Sequence, residues 1–172
     1  MLICLIVIAL VVAADQLSKQ LVVHFLDRIQ PFDVIPGVFR FTYVENRGAA
    51  FGMLDDHRWV FMIISTVAIV AMLIYMWKFA AQNAFLRVGL SLVIGGGIGN
   101  MIDRIAYGYV VDFLDFCAFP TLWKWVFNVA DACVCVGAGM VMLYLVLEII
   151  KEAKAENAAK AAGNDEPEDN NK

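Results

Sequence analysis

Charge is what this chain lacks. The first 150 of its 172 residues carry only twenty charged side chains, and 62% of the whole is hydrophobic. Soluble domains are about 45–50% apolar, so the composition places the chain in a membrane. No basic tract is present, which leaves nothing in the sequence to suggest nucleic acid as a partner. Histidine is scarce too: His24 and His57 stand alone, and neither is assigned a catalytic role. The four cysteines, Cys4, Cys117, Cys133 and Cys135, show no paired metal-ligand spacing. Three of them sit in or beside apolar runs, where cysteine serves as a small hydrophobe. Neither a zinc site nor a disulfide framework is expected, and no metal or cofactor.

Long apolar runs are plentiful. Residues 1–14, "MLICLIVIALVVAA", are wholly apolar, and the helix can continue to about Leu26. No Lys or Arg precedes this run, as a cleaved signal peptide would require, so a retained helix is expected. Residues 59–77 carry no charge across nineteen positions, close to the roughly 20 a helix needs to cross a bilayer. Residues 88–102 lie between Arg87 and Asp103, and 125–147 are apolar apart from Asn128 and Asp131. Four membrane helices follow, at about 1–26, 58–77, 87–104 and 125–148, in an embedded domain spanning 1–150. Residues 151–172 reverse the pattern with six acidic and four basic side chains. They read as a solvated tail, partly helical and then disordered.

Two connections differ from the helices. In the segment about 32–56, Phe39, Phe41 and Tyr43 alternate with Val38, Arg40 and Thr42, the period of a strand. "YGYVVDFLDF", within about 107–119, is also strand-like. Helical hairpins return both connections to one membrane surface, where they form a small sheet. The link "KFAAQNAFLR" and the tail lie opposite. Lys78, Arg87, Lys151 and Lys154 favour a cytoplasmic link and tail, but Arg28, Arg40, Arg47 and Arg58 load the other side almost equally. The positive-inside rule does not decide between them.

Polar residues in this frame fall at helical spacing. Asp15 and Lys19 are i,i+4 and share a face, as an ordinary ion pair would. Gly96, Asn100 and Arg104 form another such ladder, and "GGGIG" carries the small-residue spacing of close helix packing. Packing does not explain why Asn100, Asp103 and Arg104 arrive in one turn. Asn128 and Asp131 are i,i+3 at a helix start, where an acid suits the macrodipole. Trp123 and Trp125 just before them read as an interfacial aromatic belt.

Asp112 and Asp115 stand in "YVVDFLDFCAF", an otherwise apolar stretch. Burying a carboxylate there costs several kcal/mol (order of magnitude) unless it is paired, hydrogen-bonded or protonated. Asp112 from a strand and Asp131 from a helix end meet at one membrane surface. Two carboxylates in a dry site share one proton. The ionised member can activate water and the other can protonate a leaving amine, which is aspartic peptidase chemistry. The same pair also suits a small proton- or cation-coupled transporter, and spacing does not choose.

Five blocks carry a resemblance: "DQLSK" (Asp15–Lys19), "NRGAAF" (Asn46–Phe51), "GNMIDR" (Gly99–Arg104), "VVDFLDF" (Val110–Phe116) and "FNVAD" (Phe127–Asp131). In this order and spacing they resemble the lipoprotein signal peptidases, signal peptidase II. The GxGD block of other intramembrane aspartic peptidases has only "GIGN" as a counterpart. The resemblance implies an all-α integral membrane fold of four transmembrane helices with a small periplasmic β-sheet. It implies a multi-pass protein of the bacterial inner membrane, in contact with membrane phospholipid, with both termini cytoplasmic and the active site near the periplasmic face. It implies Asp112 and Asp131 as the catalytic pair. Asp15, Lys19, Asn46, Gly96, Asn100, Arg104 and Asn128 match positions that hold the pair or contact substrate, with Asp103 and Asp115 structural. The implied substrate is a prolipoprotein whose lipobox cysteine carries diacylglycerol, cut before that cysteine. Lipopeptide inhibitors of the globomycin type are implied as well.

Overall fold

The computed structural model describes residues 1–26, 30–48, 58–78, 83–118, 121 and 125–163. In chain order these form α1 (Leu2–Phe25), β1 (Phe32–Ile35), β2 (Phe39–Asn46), α2 (Arg58–Lys78), α3 (Ala84–Ala106), β3 (Val110–Phe116), β4 (Val126–Phe127) and α4 (Val129–Gly163). Residues 49–51 of the second block, His57, Trp123, residues 79–82 of the link and the tail from 164 lie outside the described residues.

Neither Gly nor Pro interrupts α1, and its buried positions are Cys4, Val11, Asp15 and Lys19. Their spacing by seven and four draws one stripe along the helix. Leu5, Leu10, Leu17 and Leu21 on its other faces are exposed, as suits a helix solvated by hydrocarbon. Cys4, Ile69, Met76, Leu86, Leu90 and Ile94 make an apolar core from α1, α2 and α3. That core fills the end of the bundle away from the sheet.

Three helical stretches, Leu2–Phe25, Ala84–Ala106 and Val129–Asn157, are long and apolar enough to cross a membrane. The apolar part of α2, Met62–Lys78, is shorter. The described residues are thus mostly helical, with three candidate spans among them and one antiparallel sheet of strand order β1-β2-β3-β4.

The sheet gathers where α1 and α3 end and α4 begins. Arg40 pairs in register with Asp115, and Val44 with Asp112, across a bulge between Phe41 and Val44. Arg40 donates to Asp115 at 2.7 Å and Thr42 at 3.1 Å, so this acid serves a cross-strand contact. Phe116 stacks on Phe127 with ring centroids 5.8 Å apart, while Phe113 is buried beside Phe41. Gly108, at φ 83, turns the chain from α3 into β3 through a conformation that L side chains rarely adopt.

One expectation is corrected. Val126 and Phe127 do not begin the last helix; they pair with Asp115 and Leu114 as β4, and α4 starts at Val129. A two-residue strand is too short for any periodicity to reveal. Residues 151–163 of the tail are helical, the last turns of α4. Alanine-rich composition and i,i+4 pairs such as Glu156 with Lys160 favour that continuation.

Candidate active site

The site lies where β3 crosses the start of α4. Asn128 precedes α4, and its side-chain oxygen accepts the Asp131 N–H at 2.9 Å. Asp131 in turn accepts the Asn128 N–H at 3.3 Å. This is a reciprocal capping box, so the acid at the helix start has a local structural reason to be there. Its other oxygen accepts from Asn100 Nδ2 at 2.7 Å, which ties it to α3.

Asp112 is 2% exposed. Asn128 Nδ2 donates to its Oδ1 at 2.6 Å, and Asn46 Nδ2 to its Oδ2 at 2.9 Å. One residue, Asn128, therefore touches both carboxylates, that of Asp112 through its side-chain NH₂ and that of Asp131 through its backbone N–H. Desolvation and then the charge of Asp131 push the Asp112 carboxyl up to about 7, against the opposing hydrogen bonds from Asn46 and Asn128. Such a group holds a proton near neutrality.

Beneath the pair lies a buried charge cluster. Lys19 sits 2.9 Å from Asp15 Oδ2, 2.9 Å from Asp103 Oδ2 and 3.0 Å from Asn100 Oδ1. Asp15 Oδ1 accepts the Ala130 N–H at 3.0 Å, and Asp103 Oδ2 accepts the Val111 N–H at 3.1 Å. Gly99 permits this approach: a Cβ there would lie 2.5 Å from Asp15 Oδ2. Gly96, one turn below, lets α3 meet the Ala130 carbonyl of α4. Arg104 donates to the Asn100 carbonyl at 3.3 Å and the Gly48 carbonyl at 3.4 Å.

The structure thus brings Asp15, Lys19, Asn46, Asn100, Arg104 and Asn128 around Asp112 and Asp131, with Gly96 as a packing position. Sequence reasoning passed over Gln16. Its Nε2 donates to Asp103 at 2.9 Å and to Asp15 and the Gly99 carbonyl at 3.2 Å. It lies one residue off the Asp15–Lys19 stripe, so helical spacing gave no signal. Asp103 is more than a bystander, because it joins Lys19 to the strand carrying Asp112.

A desolvated carboxylate pair joined through Asn128 and set among apolar helices has the make-up of an aspartic peptidase of the membrane. Comparison with known proteins narrows the class. The family model described as Signal peptidase (SPase) II matches residues 7–147. The chain is 47% identical over 147 residues to a lipoprotein signal peptidase of Symbiobacterium thermophilum, covering 83% of this chain and 93% of that one. A lipoprotein signal peptidase of Halothermothrix orenii is 44% identical over 140 residues, 81% and 92% of the two chains. Among solved structures, a bacterial membrane enzyme determined by the in meso method at 2.3 Å superposes with a TM-score of 0.81 at 31% identity, covering 87% of this chain and 90% of that one. The chain belongs to the signal peptidase II family. Membership removes the transporter reading.

Proposed function

We propose that Asp112 and Asp131 are the acids with which this peptidase removes signal peptides from diacylglyceryl-modified prolipoproteins, cutting before the lipidated cysteine. The observation that carries the reading is Asn128 in contact with both carboxylates, through its side-chain NH₂ on Asp112 and its backbone N–H on Asp131, with the Asp112 carboxyl pushed up to about 7. The ionised member takes a proton from water as its oxygen adds to the scissile carbonyl carbon. The protonated member gives its proton to the leaving nitrogen as the tetrahedral intermediate collapses; the C–N bond breaks, the amine departs, and the pair is left with the one proton taken from water.

In this reading α2 is a fourth crossing, with residues 1–150 as the embedded domain and the remainder a cytoplasmic extension of α4. Both termini face the cytoplasm of a bacterial inner membrane, and the sheet and dyad meet the periplasmic face. Asp15, Lys19, Asn46, Gly96, Asn100, Arg104 and Asn128 hold the pair or meet the substrate. Globomycin-type lipopeptides occupy the same site. Cleavage that survives truncation after Ile150 supports the domain division, and loss of it in an inserted protein contradicts it.

The substrate's lipid has a physical purpose here. A diacylglyceryl group contributes about 0.8 kcal/mol per buried CH₂ and keeps the cysteine at the interface. Anchoring also restricts the peptide's motion, which raises the population near attack geometry. One prolipoprotein is assayed with and without its diacylglyceryl group at equal membrane concentration. Cleavage of the lipidated form alone is expected; equal rates contradict the reading and favour a general membrane peptidase.

A further inference from the structure

We infer that Lys19 is a positioning residue of the dyad, acting by turning the Asn100 carboxamide so that its NH₂ group, rather than its oxygen, faces Asp131. The inference rests on the reading of Asp112 and Asp131 as the catalytic pair.

The two ends of a carboxamide are nearly the same in shape and opposite in hydrogen bonding, so its neighbours decide which end faces a carboxylate. Three asparagines surround the dyad, and each is fixed by a group that can only donate. Asn46 Oδ1 accepts the Gly48 N–H at 3.1 Å, so its NH₂ faces Asp112. Asn128 Oδ1 accepts the Asp131 N–H, so its NH₂ faces Asp112 as well. Backbone N–H groups fix these two. Asn100 has no backbone donor on its oxygen among the hydrogen bonds described; that oxygen accepts Lys19 Nζ at 3.0 Å and Asn128 Nδ2 at 3.1 Å.

Asn128 alone is a weak lock. Its NH₂ gives one proton to Asp112, and for the other the Val111 carbonyl, 3.4 Å away, is a second acceptor. Lys19 has no such alternative. Its ammonium carries three protons, and its three acceptors are Asp15, Asp103 and Asn100. A turned Asn100 would press its NH₂ against the ammonium and its oxygen against Asp131. The ion pairs account for two protons of Lys19; the third serves Asn100.

The same cluster clamps both elements of the dyad. Asp15 accepts the N–H of Ala130, the residue before Asp131, and Asp103 accepts that of Val111, the residue before Asp112. An ion pair present only for stability would have no reason to touch each element at that point.

The test uses the full chain in detergent with a diacylglyceryl prolipoprotein as substrate. Lys19→Met is combined with Asp15→Asn, which leaves the formal charge of the Lys19, Asp15 and Asp103 trio unchanged and retains an oxygen for the Ala130 N–H. The charged groups acting on Asp131 are Lys19 and Asp15 from α1, Arg104 from α3 and Asp112 from β3. An Asn100 oxygen turned toward Asp131 favours its protonated form, so the acid limb of the kcat profile moves to higher pH.

The expected result is a kcat lower by about tenfold or more with KM within about twofold, together with that upward shift. In an Asn100→Ala background the same two substitutions should move the limb no further. A folded variant with wild-type kcat and acid limb overturns the inference, as does an equal further shift in the Asn100→Ala background. If the Met form does not fold, Lys19→Gln with Asp15→Asn keeps a polar head in place; a smaller upward shift is expected, and none overturns the inference. Asp112→Asn is run alongside. Turnover by that variant would sink the dyad reading itself, whereas an inactive Asp112→Asn beside an unaffected Lys19 variant removes only the role of Lys19.

Discussion

Asn128 donates to Asp112 at 2.6 Å while its side-chain oxygen accepts the backbone N–H of Asp131 at 2.9 Å. One side chain thus caps α4 and links the Asp112 carboxylate to the backbone of Asp131, so the helix start and the site share a residue. Asn128→Ala removes both contacts. Turnover should fall on the order of a hundredfold, as when one preorganised donor is lost, and stability by about 1 kcal/mol for the missing cap. Turnover within threefold of wild type in a kcat measurement would contradict the bridging role.

The raised proton affinity of Asp112 predicts a pH signature. Its folded value, about 7, stands above the roughly 4 of an unfolded Asp. The ionised form is therefore disfavoured by folding. The contribution of this residue to stability is full below pH about 4, declines as pH rises toward about 7 and stays at the lower level beyond. Linkage puts the difference at about 4 kcal/mol, an order of magnitude. In Asp112→Asn that decline is absent, so the variant should gain stability relative to wild type between pH 4 and 7. Melting curves across this range check it, and parallel curves for the two proteins would contradict it. The basic limb of kcat/KM should fall in the same region, where the pair loses its shared proton.

Much of this was legible along the chain. Helical spacing paired Asp15 with Lys19, now 2.9 Å apart, because i,i+4 is a local relation that a sequence records directly. The alternation at Phe39–Tyr43 marked β2 for the same reason. Asp103 and Gln16 were harder to place. Their partners lie on other elements, and nothing local states that Asp103 will meet the Val111 N–H. The short β4 was hidden because its pairing with β3 is entirely non-local. Asn128 and Asp131 announced a helix start, yet the contact of Asn128 with Asp112 depends on a strand arriving from another part of the chain.

Gly99 offers a steric test of the cluster. An added Cβ would lie 2.5 Å from Asp15 Oδ2 and 3.4 Å from the Ala130 Cβ. Asp15 is fully buried and held by both Lys19 and Ala130, so it has little room to yield. Gly99→Ala should destabilise the protein by roughly 1–3 kcal/mol, the usual cost of overpacking, and lower turnover more than Gly139→Ala. At Gly139 nothing lies within 4 Å of an added Cβ. Equal melting temperatures and rates for the two variants would show that the Asp15 contact tolerates displacement.

Hydrolysis by Asp112 and Asp131 together, as proposed, is tested most directly by replacing each with its amide. Purified wild type, Asp112→Asn and Asp131→Asn are given the same diacylglyceryl prolipoprotein, with folding of each followed by thermal melting. Asn preserves the shape of the side chain but cannot exchange the required proton. Both variants should remain folded and release no signal peptide while wild type cleaves. Wild-type-like cleavage by either folded variant would contradict a catalytic pair made of these two acids.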